Sequence, residues 1–215
     1  MDVDRFVEQY PRLYHAAGSG AWPSIRDRGL LSVTAMLDVF AVKAHERAAY
    51  ESAQRTRTME IPPGIAGTIA LRDQRAIPPD RLAKALNDGS TPEDWYRLIN
   101  AKVFFWAEES RLCRWLDARE QRRAAYDVLT LDTRRVADVY HDTLWLCHMN
   151  SGSTWPTPHT RGVDVFQRLP GYPALQAVVE VAIDYSMPEV ANYVIGLRRM
   201  PTKEQRVAGR AGAIR

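Results

Sequence analysis

The stretch from Leu13 to Leu31 constrains the fold of this chain more than any other. Leu13-Tyr14-His15-Ala16 reads as a short strand, Gly18-Ser19-Gly20 as a flexible turn, and Trp22 to Arg28 as one helix that Ser19 or Gly20 caps and Gly29 stops. A histidine at a strand edge then lies beside a helix N-terminus, where spare backbone N–H groups and the positive dipole end favour anions. A nucleotide is the ligand this arrangement suggests.

The remaining pattern sets the fold class. Helices are predicted from Asp2 to Tyr10, from Thr34 to about Arg57 on the spacing of Met36, Leu37, Phe40 and Ala44, and from Pro78-Pro79 to Asn87-Asp88-Gly89. Two more follow, one opened by Thr91-Pro92-Glu93-Asp94 and carrying Trp95, Leu98 and Ile99, the other running from Glu108 to Arg123. Strands are predicted at Thr68 to Leu71, Lys102 to Trp106, Val128 to Leu131, Thr143 to Cys147, Val178 to Ile183 and Tyr193 to Leu197. Helices come early and strands late and in succession, which predicts an α+β fold: one domain over residues 1–200, with a mixed or antiparallel sheet flanked by helices. Residues 201–215 read as a basic, flexible tail.

The bulk properties narrow the function classes. With 215 residues, 46% of them hydrophobic and 26% charged, the chain is long enough to bury a real core. No apolar run approaches the roughly 20 residues that span a bilayer. The acidic start Met1-Asp2-Val3-Asp4 is unlike a basic leader, so a cytoplasmic location without a membrane partner is expected. Cys113 and Cys147 are expected to be reduced. The net charge of +3 does not by itself demand a nucleic-acid partner, and Arg198, Arg199, Lys203, Arg206, Arg210 and Arg215 read as a solvated tail. His141, Cys147, His148 and His159 match no zinc spacing, so no metal is expected.

Three features carry chemistry. In Val178-Val179-Glu180-Val181-Ala182-Ile183, a period of two puts Glu180 on one face with Val178 and Ala182, and a lone carboxylate in so apolar a strand requires a partner or a purpose. A solvent-facing surface or an arginine partner is the structural alternative. His15 shares a strand face with Leu13, as core histidines often do, and Phe104-Phe105-Trp106 offers either core or a stacking surface for a flat ring. The long loop Asn150 to Gly162 gathers hydroxyls, an amide and a guanidinium; Asn150, Ser151 and Arg161 are the candidates for substrate or phosphate contact, against the alternative of an ordinary proline-stiffened loop.

In order and content these elements resemble the ADP-ribosyltransferase superfamily of the His-Tyr-Glu type, through an uncharacterised bacterial family of the same layout. The resemblance rests on Leu13 to Leu31, then on Val178-Val179-Glu180-Val181 with Met187-Pro188-Glu189-Val190 and Tyr193-Val194-Ile195. It implies that NAD is a substrate, that Glu180 and His15 are catalytic, and that His15, Tyr14, Ser24, Phe105 and Trp106 hold the dinucleotide. Where that superfamily places tyrosine, this chain has Phe104, Phe105 or Trp106, which keeps an aromatic face without the hydroxyl. The implied reaction develops an oxocarbenium-like ribose that a carboxylate stabilises, with histidine donating to a ribose hydroxyl. It also implies a macromolecular acceptor, nucleic acid or protein, and a toxin or defence effector with an antitoxin or immunity partner. RNA 2′-phosphotransferases share the implied fold, and a nucleotide-binding module that has lost catalysis is the further alternative.

Overall fold

The computed structural model describes residues 1–64, 67–118 and 123–205. In chain order its elements are α1 (Val3–Gln9), β1 (Arg12–Gly18), α2 (Trp22–Arg28), β2 (Leu30–Leu31), α3 (Val33–Val39), α4 (Ala44–Glu51), β3 (Met59–Gly64) and β4 (Gly67–Leu71). Then come α5 (Pro79–Ala85), α6 (Pro92–Asn100), β5 (Lys102–Trp106), α7 (Glu109–Leu116), β6 (Tyr126–Asp132), α8 (Thr133–Tyr140) and β7 (Leu144–Cys147). The chain closes with β8 (Phe166–Arg168), β9 (Glu180–Asp184), β10 (Ser186–Met187) and β11 (Val194–Met200). This is an α+β domain built on a 7-stranded sheet, in the order β11-β6-β1-β5-β9-β7-β8, whose paired neighbours all run antiparallel.

Local chemistry explains several boundaries. Thr91 and Asp94 form a reciprocal capping box at the start of α6, with Pro92 in its first turn. Gly29 ends α2 at φ +82°, and a Cβ there would meet the Met187 carbonyl oxygen at 2.5 Å, so both the backbone and the close approach of β10 require glycine. The predicted cap at Ser19 or Gly20 is not formed: Ala21 precedes α2 without a side-chain cap, and the Gly20 N–H instead donates to Asp127 Oδ2 at 2.8 Å.

The single helix predicted from Thr34 to Arg57 is two helices. The chain turns at Ala41, φ 50°, and the Val42 N–H closes back on the Leu37 carbonyl at 2.9 Å. Val42 and Phe40 thereby pack with Leu37, Ile61 and Leu71 against the β3–β4 hairpin, and this packing outweighs the propensity to continue the helix. The helix predicted to reach Arg123 ends at Leu116, and residues 119–122 lie outside the described residues. Sequence periodicity also missed α8 and the short strands β2, β8 and β10, which are too short to show a period. The strand predicted from Val178 begins at Glu180.

The two faces of the large sheet are covered differently. One carries Leu13, Val103, Phe105, Leu129, Leu131, Val181, Ile183 and Leu146 into the main core, under α1, α8 and the β2–β10 ladder. The other carries Tyr14 and Val128 under Leu112 and Leu116 of α7, and Ala182, Cys147 and Phe166 under Trp95, Tyr96 and Ile99 of α6. Between these covers, over β5, Phe104 and Trp106 remain partly exposed.

Candidate functional site

Register lines up a set of side chains on that second face. Tyr14 is directly opposite Trp106, Trp106 opposite Glu180, and Glu180 opposite Cys147. Directly paired residues project to the same face, so these four form one row across β1, β5, β9 and β7. A cavity of about 310 Å³ adjoins the Tyr14 end of the row, lined by Tyr10, Arg12, Tyr14, Ala107, Glu108 and Glu109 among others.

Glu180 is 6% exposed. Its Oε2 accepts from the Ser151 N–H at 3.0 Å and the Ser151 hydroxyl at 2.7 Å. No described residue donates to Oε1. Burial pushes its pKa up to about 7, against the pull of the Ser151 bonds and the Arg161 charge, so the carboxyl exchanges its proton near neutrality. Burial likewise raises the Cys147 thiol, with the Glu180 charge adding to it, and leaves that sulfur protonated.

The loop predicted to grip a ligand holds the protein together instead. Arg161 is 1% exposed, and its Nε, Nη1 and Nη2 donate to the carbonyls of His159, Ser151 and Ser153 at 3.1, 3.1 and 2.8 Å. Its guanidinium lies 5.5 Å from the Trp95 ring centre, and Trp95 Nε1 donates to the same Ser151 carbonyl at 3.3 Å. Arg161 is therefore not a phosphate contact but the clasp that sets Ser151 against Glu180. Ser151 is buried and holds the carboxylate, and Asn150 Oδ1 accepts the Gly152 N–H in a local turn.

Alternation separates the other candidates. Phe105 is 1% exposed in the main core, so of the two adjacent aromatics only Trp106 is partly exposed. His15 shares the Phe105 face, with ring centres 5.7 Å apart, and so does not converge with Glu180. Its setting is unusual nonetheless. Each residue from Arg12 to Gly18 has a partner on β6, whereas β1 and β5 are registered only at Tyr14 and Trp106. The His15 ring bridges this split: Nδ1 lies 2.8 Å from the Phe104 carbonyl oxygen. A carbonyl only accepts, so Nδ1 carries the proton, and burial lowers the pKa and keeps the ring neutral. Nε2 is then an acceptor, which reverses the donor role expected of it. Ser24 is exposed on α2 without a described partner, and Arg198 and Arg199, expected in a loose tail, are β11 residues that pair with Glu109 and Asp127.

The sequence reading missed a cationic and aromatic group beside this row. Trp115 of α7 lies 6.3 Å from Trp106, and the guanidinium of Arg72, the residue after β4, sits 4.4 Å from the Trp115 ring centre and 5.8 Å from that of Tyr126. One arginine among 29 basic residues carries no local signal of such a position. Among the described residues no three His, Cys, Asp or Glu side chains cluster as metal ligands would, and no helix is long and apolar enough to cross a membrane.

Fold and site thus define a class: an antiparallel α+β domain with a buried, near-neutral carboxylate beside an accessible tryptophan. Residues 11–194 match DUF7002, a family of unknown function, and the chain belongs to that family. No curated protein sequence matches it.

Proposed function

We propose that this protein is an NAD-consuming ADP-ribosyltransferase whose carboxylate is Glu180. The observation that carries the reading is the Trp106–Glu180 pair: a partly exposed indole directly opposite a carboxyl whose Oε1 has no donor among the described residues and whose pKa is pushed up to about 7. Those groups suit NAD. The Trp106 face takes the nicotinamide plane, and Oε1 stabilises positive charge at the ribose C1′. The C–N bond to nicotinamide breaks with its electron pair leaving on the ring nitrogen. An acceptor hydroxyl or amine then bonds to C1′, and its proton passes to Glu180 and on to water. His15, on the Phe105 face of the strand, lies outside this pose and ties β1 to β5 through the Phe104 carbonyl.

A macromolecular acceptor, a cytoplasmic location, and a toxin or defence role with a neutralising partner belong to the same reading. The placement of His15 and Glu180 on opposite strand faces favours a second one, a nucleotide-binding module without turnover. Labelled NAD with mixed cell extract separates them. Label transfer and free nicotinamide are expected from the wild type and neither from Glu180→Gln. NAD binding without either product selects the binding module, and absence of NAD binding by a folded sample removes both readings.

A further inference from the structure

We propose that Arg72, held over Trp115 and near Tyr126 beside the Trp106–Glu180 pair, is the contact for the diphosphate of the bound nucleotide; the choice of a dinucleotide rests on the function proposed above. A guanidinium held over an aromatic ring by its charge can still offer N–H donors to phosphate oxygens in pairs. Arg72 is exposed, and no described residue accepts a hydrogen bond from its side chain. This is the reverse of Arg161, whose nitrogens all bond backbone carbonyls.

Among the described residues no carboxylate bonds either arginine of this corner. Arg55, 5% exposed, donates Nε to the Arg72 carbonyl at 2.9 Å and Nη1 to Asn100 Oδ1 at 3.1 Å and to the Tyr50 carbonyl, all neutral acceptors. Among the described residues neither Arg55 nor Arg72 has a carboxylate within 4.0 Å, and the nearby Asp73 bonds Arg75 at 3.1 Å. The two guanidiniums feel one another's charge, offset in part by the Asp73 carboxylate, and the Arg72 charge also reaches His15. With Asp73 bonded to Arg75 and Arg55 bonded to neutral acceptors, the Arg72 donors are left for an anion from outside the described residues. Its position fits the diphosphate. Arg72 stands over Trp115, Trp115 over Trp106, and Trp106 opposite Glu180, a path that leads away from the nicotinamide end of the proposed NAD pose.

Calorimetric titration with inorganic pyrophosphate, ADP-ribose and a short single-stranded RNA tests the proposal on the full chain. Arg72→Ala is expected to weaken pyrophosphate and ADP-ribose at least about tenfold. Arg72→Lys is expected to recover only part of this, since an ammonium keeps charge but loses the planar fork. Nicotinamide affinity is expected to stay unchanged, and matching thermal melts show that the variants remain folded. Equal pyrophosphate affinity in wild type and Arg72→Ala, or no pyrophosphate binding by wild type, overturns the proposal. Arg72-dependent pyrophosphate binding by a protein that does not consume NAD upholds the phosphate site while removing the transferase reading. A loss confined to RNA, with ADP-ribose unaffected, refutes the dinucleotide as the source of the phosphate.

Discussion

Two faces of one sheet use neighbouring residues for opposite ends. On the face carrying Phe105, side chains from β1, β5, β6 and β9 vanish into a continuous aliphatic and aromatic core. One residue further along, Trp106 belongs to a face whose cover parts over β5, with a carboxylate to one side and an arginine-capped tryptophan to the other. The contrast teaches that register, more than residue type, decides which aromatic is core and which stays partly exposed. It also sorts the cations by hydrogen-bond accounting: Arg161, with every nitrogen occupied, holds the fold, whereas no acceptor among the described residues takes a bond from the Arg72 side chain.

Stability measurements break this comparison first if it is wrong. Phe105→Ala is expected to cost about 3–5 kcal/mol in denaturant titration, as for other fully buried phenylalanines, and Trp106→Ala clearly less. Equal losses at the two positions would mean that the faces are not distinct.

Glu180→Gln sharpens it through pH. The folded value near 7 lies above the ordinary 4.5, so between them the native chain keeps a proton that the unfolded chain has released. Stability of the wild type therefore falls as pH rises through that window, by up to about 3 kcal/mol above it, and the variant is expected to flatten the slope. Unfolding midpoints at pH 5 and pH 8 check this. A smaller effect is expected of Ser151→Ala. Loss of one bond to the ionised carboxylate costs about 1 kcal/mol and raises the Glu180 pKa further, moving the pH midpoint of nicotinamide release upward.

Much of the architecture was legible because local rules dominate it. The capping box at Thr91, the strand Lys102–Trp106 and the glycine stop at Gly29 follow from side-chain chemistry within a few residues. Glu180 was legible too, since a carboxylate in an apolar strand must be paired or functional, and its Ser151 partner answers that demand. What could not be read depends on distant pairing. Nothing near Phe105 or Trp106 says which of them meets Leu13 and which meets Trp115, and the break at Ala41 comes from packing onto the hairpin around Ile61 and Leu71. The same holds for Arg161 and Arg72, alike in sequence and distinguished by the carbonyl acceptors that the fold brings to the first and by the aromatic rings that it brings to the second.

Nuclear Overhauser contacts from NAD bound to the Glu180→Gln variant, which blocks turnover, test the site most directly. Contacts from the nicotinamide protons to the Trp106 indole, with none to Phe105, are the expected result. A bound NAD whose nicotinamide touches Phe105, or lies away from Trp106 altogether, would contradict the assignment of this face as the reaction site.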